Sequence, residues 1–409
     1  MKSIKLSLVA ALTCLFAVSA NAQEVPEAQN FSEVFTKAKT SGEIRLGYVA
    51  QDNDDATKNK NGAAGGHLTI ETASLNGISF GTAFYTTNTL QSKDIDTLGT
   101  SLFNSNDESY AILGQAYVNV SLDKTNLKVG RQQIDTPFID SDDIRMIPNL
   151  FEAYMLNNND IEGLILTAAH VSKWSGVDAV TPEKFQKLVE SGNGATMFGA
   201  IYSGIENSEL SAWYYDINDF TKIAYLTAST KLGLSDGATL NLAAQYANFS
   251  EYSVNGTATN IDGNVWGASA ELAFESIGTT FSTAYNKSSN KAGKSVSNGF
   301  GGGPFSTSME ENTIDSLEGA KAYVAGVSFD FSVLGVDGLS LAYAKGKFKD
   351  SLTTSHVEID ESDYTLEYSY NDNLSAVLLY TDAKTKTDGI VNSDDTTFKR
   401  IQAYANYKF

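Results

Sequence analysis

Cysteine, proline and arginine are scarce in this chain of 409 residues: one Cys, five Pro and four Arg. Long hydrophobic runs are absent too. Past the N-terminus no stretch approaches the roughly 18 uninterrupted apolar residues that a membrane-spanning helix needs, which excludes a polytopic helical protein. A single cysteine excludes a disulfide framework and a cysteine metal site. It is Cys14, inside the apolar run Leu6 to Val18, which follows Lys2 and Lys5 and precedes Ala20-Asn21-Ala22. That order reads as a secretory signal over residues 1–22. Its removal takes two lysines and the cysteine, and moves the net charge from -20 to -22. So acidic a chain repels phosphates, so nucleic acid is not expected as a partner. With 42% hydrophobic residues and 11% aromatics, it is not disordered either.

What is present is alternation. A segment at 23–42 holds Phe31, Val34, Phe35 and Ala38 at the spacing of one short helical face. From residue 43 to 409 the period is two. Ile44, Leu46, Tyr48 and Ala50 alternate with Glu43, Arg45 and Gly47; Tyr364, Leu366 and Tyr368 alternate with Asp363, Thr365 and Glu367. At the end, Ile401, Ala403, Ala405, Tyr407 and Phe409 share one face, and Arg400, Gln402, Tyr404, Asn406 and Lys408 the other. Eight tight turns punctuate the pattern, at 75–78, 123–126, 157–160, 204–209, 234–238, 275–278, 335–339 and 371–374. Asn-Gly, Asp-Gly and Asn-Asp pairs recur in them, as hairpins require. Between them lie mostly longer polar connections, at 52–64, 89–108, 132–150, 173–195, 250–261, 288–318, 348–360 and 384–397, with a short one at 216–219.

The sum is about 18 strands of about 10–11 residues, with short turns on one side and long loops on the other. The expected fold is all-β, a closed antiparallel transmembrane β-barrel in the cell outer membrane, with some external loops folded into the lumen. Its outside is apolar and its inside wet, which reconciles a mean hydropathy of -0.20 with life in a membrane. Tyr407 and Phe409 match the C-terminal signal by which the barrel assembly machinery takes up such chains. Tyr48, Phe80, Phe84, Trp213, Tyr214, Trp266, Tyr285, Tyr343 and Tyr380 are expected girdle aromatics.

Several stretches resemble the OprD-type outer-membrane porin family of Gram-negative bacteria. They are FTKAKTSGEIRLGYVAQ at 35–51, AYVNVSLDKTNLKVGRQQIDTPFIDSDDIRMIPNLFEA at 116–153 and AWYYDINDF at 212–220. GGGPFSTSMEENTID at 301–315 and the hairpin at 320–348 complete the set. The resemblance implies an 18-stranded barrel whose third and seventh external loops form a constriction. Such channels carry a ladder of Arg and Lys opposite an acidic pocket, suited to carboxylate-bearing solutes. The ladder here must be sparse, or built from lysines such as Lys128, Lys222, Lys231, Lys345 and Lys347. The constriction candidates are Arg131, Asp135, Asp140, Asp142, Asp143 and Arg145 in the third loop, with Glu310 and Glu311 in the seventh. Arg45, Lys128 and Arg400 are candidates for facing the lumen. A bland reading of the loop charges is an Asp142–Arg145 pair that only braces the loop.

The resulting expectation is a passive diffusion channel for small hydrophilic solutes, carboxylate-bearing or amino-acid-like, filtered by size and charge. A surface-binding or adhesin barrel with a plugged lumen is the alternative. An outer-membrane hydrolase is less favoured: His67, His170 and His356 sit on separate strands or loops, and no G-x-S-x-G occurs. No cofactor or metal site is expected, because no histidines pair at ligand spacing. Acids in the loops at 52–64, 89–108 and 384–397 could hold divalent ions shared with lipopolysaccharide. Thr181-Pro182 before Phe185, Leu188 and Val189 reads as a capped helical turn. Monomer and homotrimer both fit.

Overall fold

The structure is a computed structural model, which describes residues 26–53, 58–90, 100–254, 256–289, 291–350, 356–388 and 395–409. The signal segment 1–22 and Cys14 lie outside them, as do Asp54, Asp55, Asp94, Asp96 and Asp394 of the acidic loops named above. The chain begins with α1 (Phe31–Thr36), whose Asn30 side chain caps the Glu33 N–H at 3.1 Å. Val34 of α1 is buried with Ala28 and Ala73 beside the first tight turn. Phe31 and Phe35 stay exposed, so only one residue of the expected face docks.

Eighteen long strands follow. They are β1 (Lys39–Asn53), β2 (Lys58–Glu71), β3 (Ile78–Thr89), β4 (Tyr110–Leu122), β5 (Thr125–Gln132) and β6 (Leu150–Asn158). Next come β7 (Leu164–Ser175), β8 (Ala195–Ile205), β9 (Ser208–Ile217), β10 (Thr221–Ser235), β11 (Ala238–Glu251) and β12 (Gly263–Phe274). The last are β13 (Thr279–Ser288), β14 (Lys321–Asp330), β15 (Leu339–Lys349), β16 (His356–Ser369), β17 (Leu374–Asp388) and β18 (Thr396–Lys408). Each pairs antiparallel with its sequence neighbours, and β1 pairs with β18 to close the barrel. Closure removes the unpaired edges that lipid would not tolerate. At the seam the Phe409 N–H donates to Gly42 O at 3.0 Å and Gly42 N–H returns the bond at 2.9 Å. A Cβ on Gly42 would meet His67 O at 2.5 Å and the Phe409 ring at 2.7 Å, so the seam requires glycine there.

All eight expected tight turns join strands. Three external loops are shorter than their polarity implied: β1 reaches Asn53 and β2 starts at Lys58, β16 starts at His356, and β17 runs to Asp388. Paired strands continue past the bilayer into water, where both faces become polar and the sequence looks like loop. The helical turn expected at Thr181 is instead a two-residue strand, Gln186–Lys187, paired with β7. β7 outruns β8 at this point and offers a free edge, which the loop takes up in preference to a helix.

The apolar outer face carries Ile44, Leu46, Leu68, Phe84, Phe198, Leu226 and Ile401, each more than 40% exposed. Aromatic rows run across it, Trp266–Tyr285–Tyr323 and Tyr343–Tyr364–Tyr380, with ring centroids 4.8–5.9 Å apart. Trp213 is not in this girdle. It points inward, is 6% exposed and stacks on Tyr215. β9 is apolar on both faces there, so alternation alone could not assign the side. Trp213 and Tyr215 belong to a core inside the barrel. Phe138, at the tip of the third loop, is fully buried edge-on against Tyr215, Tyr225, Phe249 and Phe305.

Candidate functional site

The site is made where the third external loop (133–149) and the seventh (289–320) meet inside the wall. Phe138 anchors the third loop on β9–β11, halfway round the barrel from the β18–β1 seam. The two loops are then zipped together: Asp140 N–H donates to Phe300 O at 3.0 Å, and Phe300 N–H to Phe138 O at 2.9 Å. Gly301 has φ +134°, and a Cβ there would lie 2.6 Å from the Asp140 carboxylate, so the close approach needs glycine. The seventh loop is tied to the wall by β16. Glu361 accepts from Glu311 N–H at 2.8 Å and from the Asn312 N–H and side-chain amide at 3.0 and 2.8 Å. Asp363 accepts from Glu310 N–H at 3.2 Å.

The returning limb of the third loop crosses to the seam. Arg45 of β1 holds Asp143 through both guanidinium ends, Nη1 at 2.6 Å and Nη2 at 2.9 Å. The same side chain bonds Glu43 at 2.7 Å, Asn406 at 3.0 Å and the Arg145 carbonyl. Arg145 is 5% exposed, 3.5 Å from Glu310 through Nη1, and its Nε has no partner among the described residues. Arg400 of β18 bonds Glu311 at 2.6 Å and leans on Gln51 at 3.3 Å, while Gln402 donates to Glu310 at 2.5 Å. Three of the four arginines therefore gather at one side, on β1, β18 and the third loop, matched by Asp143, Glu310 and Glu311.

Toward the loop tip lie acids with no Lys or Arg ion partner among the described residues, Asp135, Asp140 and Asp178; Asp142, also without an ion pair, lies between them and Arg145. Asp140 accepts from Asp142 N–H at 2.9 Å and Gly302 N–H at 3.4 Å, and Asp178 accepts from the Asn149 amide at 2.7 Å. Asp135 accepts from the Ser141 N–H and hydroxyl. Burial and the nearby Asp135 push the Asp140 carboxyl up to about 7. Burial, with Asp178 and Asp140 close by, pushes Asp142 well above the carboxylate range. Asp143 goes the other way. Burial would raise it, but the Arg45 guanidinium holds it below its ordinary value, and 44% of its side chain remains open to the lumen.

Of the sequence candidates, Asp135, Asp140, Asp142, Asp143, Arg145, Glu310, Glu311, Arg45 and Arg400 come together here. Arg131 does not. It alternates with the buried, inward Gln132 and lies opposite Ala116 and Glu152, on the outer face with Val129 and Tyr154. There its guanidinium sits over Phe185 at 4.3 Å and its Nε is 3.9 Å from Glu152. A one-residue difference in where β5 ends reverses the side of the wall. Lys128 does face inward, but nearer the turn end, over the Tyr117 ring at 4.3 Å. Lys345 and Lys347 share the outward parity of Leu341 and Tyr343 on β15, and Lys222 that of Leu226 on β10. No Asp142–Arg145 ion pair forms; Arg145 turns to Glu310 instead. Sequence reasoning missed Asp178, Glu361, Gln402 and the anchor Phe138. Glu361 and Asp363 carried a signal, two acids at period two on the face opposite Tyr364 and Leu366. Asp178 carried none, since it reaches the site only through the path of the fourth loop.

Comparison with known proteins agrees with this architecture. Residues 35–373 match the family model for outer membrane porin, OprD family. Porin D of Pseudomonas aeruginosa is 24% identical over 275 residues, 63% of this chain. That match spans 60% of porin D, less than two thirds of its length. Among solved structures, Pseudomonas aeruginosa OpdK with vanillate is similar at TM-score 0.75 and 17% identity, covering 91% of this chain and 98% of OpdK. Acinetobacter baumannii OccAB1 is similar at TM-score 0.76 and 18% identity, covering 94% and 99%. At such identities the structures establish the shared barrel, and the family match establishes the lineage. The chain belongs to the OprD family of outer membrane porins.

Proposed function

We propose that the protein is a passive diffusion channel whose eyelet favours small hydrophilic solutes carrying a carboxylate. The observation that carries this reading is the separation of charge across the joined loops. Arg45, Arg145 and Arg400 stand toward the seam, and Asp135, Asp140 and Asp178 toward the loop tip, with Asp142 between the two groups. A transverse field of that kind orients a dipolar solute, its carboxylate toward the arginines and any amino group toward the aspartates. Support from a relative is the vanillate, a small aromatic carboxylate, in the OpdK structure. The relatives named above are porins rather than enzymes.

Solute flux into liposomes containing the purified protein tests the reading. A small carboxylate should enter faster than its uncharged amide, and Arg400→Gln should reduce that advantage about tenfold, the scale of one charge-assisted hydrogen bond. Equal rates for acid and amide in both proteins would refute the charge filter. A plugged, surface-binding barrel would pass neither solute.

A further inference from the structure

The lysines absent from the eyelet form a separate feature outside it. On β15, β16 and β17 the aromatic row Tyr343–Tyr364–Tyr380 is in strict register, and it marks a membrane interface on the outer face. One pleat further toward the external loops, Lys345 stands beside Ser362 and Asp382. The next pleat aligns Lys347, Asp360 and Lys384, and the one above it Lys349, Glu358 and Lys386. Five lysines therefore share this outward strip with three acids, in a chain whose net charge is -20.

Two of the three acids are each divided between two lysines. Glu358 lies 2.5 Å from Lys347 and 2.7 Å from Lys349; Asp360 lies 3.6 Å from Lys347 and 3.8 Å from Lys386. Lys345 donates only to the Ser362 hydroxyl, at 3.1 Å, and Lys384 reaches Asp395 of the last loop at 3.4 Å. The strip keeps a surplus of positive charge, and Lys347, Lys349, Lys384 and Lys386 remain 40–47% exposed. Its height fixes what it meets. Successive same-face residues rise about 6.6–7 Å along strands tilted about 40°, so the lysines stand roughly 5–15 Å above the tyrosines, in the headgroup zone of the outer leaflet.

We propose that this lysine strip is a docking site for the phosphate groups of the outer-leaflet glycolipid. The tyrosines would lie along its acyl chains and the lysine ammoniums on its phosphates, with Glu358 and Asp360 holding the lysines apart. The site faces away from the lumen, so it serves placement of the barrel in the leaflet and not passage of solute.

The test is native mass spectrometry of the purified barrel in nonionic detergent, titrated with lipid A or with dephosphorylated lipid A. The wild type binds lipid A and discriminates against the dephosphorylated form. K345Q/K384Q removes the two lysines that share no acid within the strip. At about 1 kcal/mol for each lysine near an anionic surface, it lowers the affinity for lipid A about 30-fold. E358Q/D360N removes counter-charge and tightens binding. Unchanged migration of unheated samples on gels and unchanged single-channel conductance confirm that the variants fold. Equal affinity of wild type and K345Q/K384Q for lipid A would overturn the proposal, as would equal binding of dephosphorylated lipid A. Displacement of lipid A by micromolar inorganic phosphate would identify a free-anion site and overturn it also.

Discussion

Arg45 is the residue on which the eyelet's geometry converges. It is 6% exposed and bonds Glu43, Asp143, Asn406 and the Arg145 carbonyl at once. Arg45→Met removes every one of these bonds and leaves buried Glu43 with Lys408, 3.8 Å away, as its one ion partner among the described residues. Breaking a buried pair costs about 3–5 kcal/mol, and water reaching Asp143 places this case at the lower end. The expected outcome is a lower unfolding midpoint together with a larger, noisier conductance, since the returning limb of the third loop loses its tether. Asp140 sets a pH dependence. With its carboxyl at about 7, it is neutral at pH 5 and charged at pH 9, so cation preference rises with pH across neutrality. Reversal potentials in a salt gradient at both pH values measure this, and Asp140→Asn should shrink the difference. A preference independent of pH would show that Asp140 does not act on the permeating ions.

At the scale of elements, the third loop is a span fixed at both ends, by Phe138 on β9–β11 and by Arg45 at the seam. Phe138→Ala empties the edge-to-face cluster at a cost of about 3–5 kcal/mol. Because the barrel's ladders are untouched, the loss should appear as rapid flicker in single-channel current while the barrel's thermal midpoint moves little. Glu361→Ala should act likewise on the seventh loop, which loses the acceptor for Glu311 and Asn312. Strands and turns were legible in the sequence, because lipid enforces period two and hairpins enforce their turn residues. The site was legible where a strand charge had to belong to the lumen, as Arg45 and Arg400 did by alternation with Ile44 and Ile401, and where charges crowd one loop, as from Asp135 to Arg145. Arg131 was misplaced because it sits where β5 ends, and Trp213 because β9 is apolar on both faces. Asp178 and Phe138 depend on loop paths, which are set by tertiary packing and not by local period.

For the whole molecule, a mature charge of -22 predicts a weak cation preference among inorganic ions at neutral pH, one that the raised carboxyls of Asp140 and Asp142 keep small. A clear anion preference at neutral pH would mean that the arginine side alone sets the field. The small number of arginines matters less than their placement, since three of the four share one wall of the constriction. The central claim, a charge-filtered open channel, meets its most direct test in single-channel recording of the purified protein in planar bilayers, with a small carboxylate titrated on one side. Stepwise conductance is expected, interrupted by concentration-dependent blockades that shorten markedly in Arg400→Gln and do not occur with the uncharged amide. A protein that stays silent, or one that the acid and the amide block alike, would contradict it.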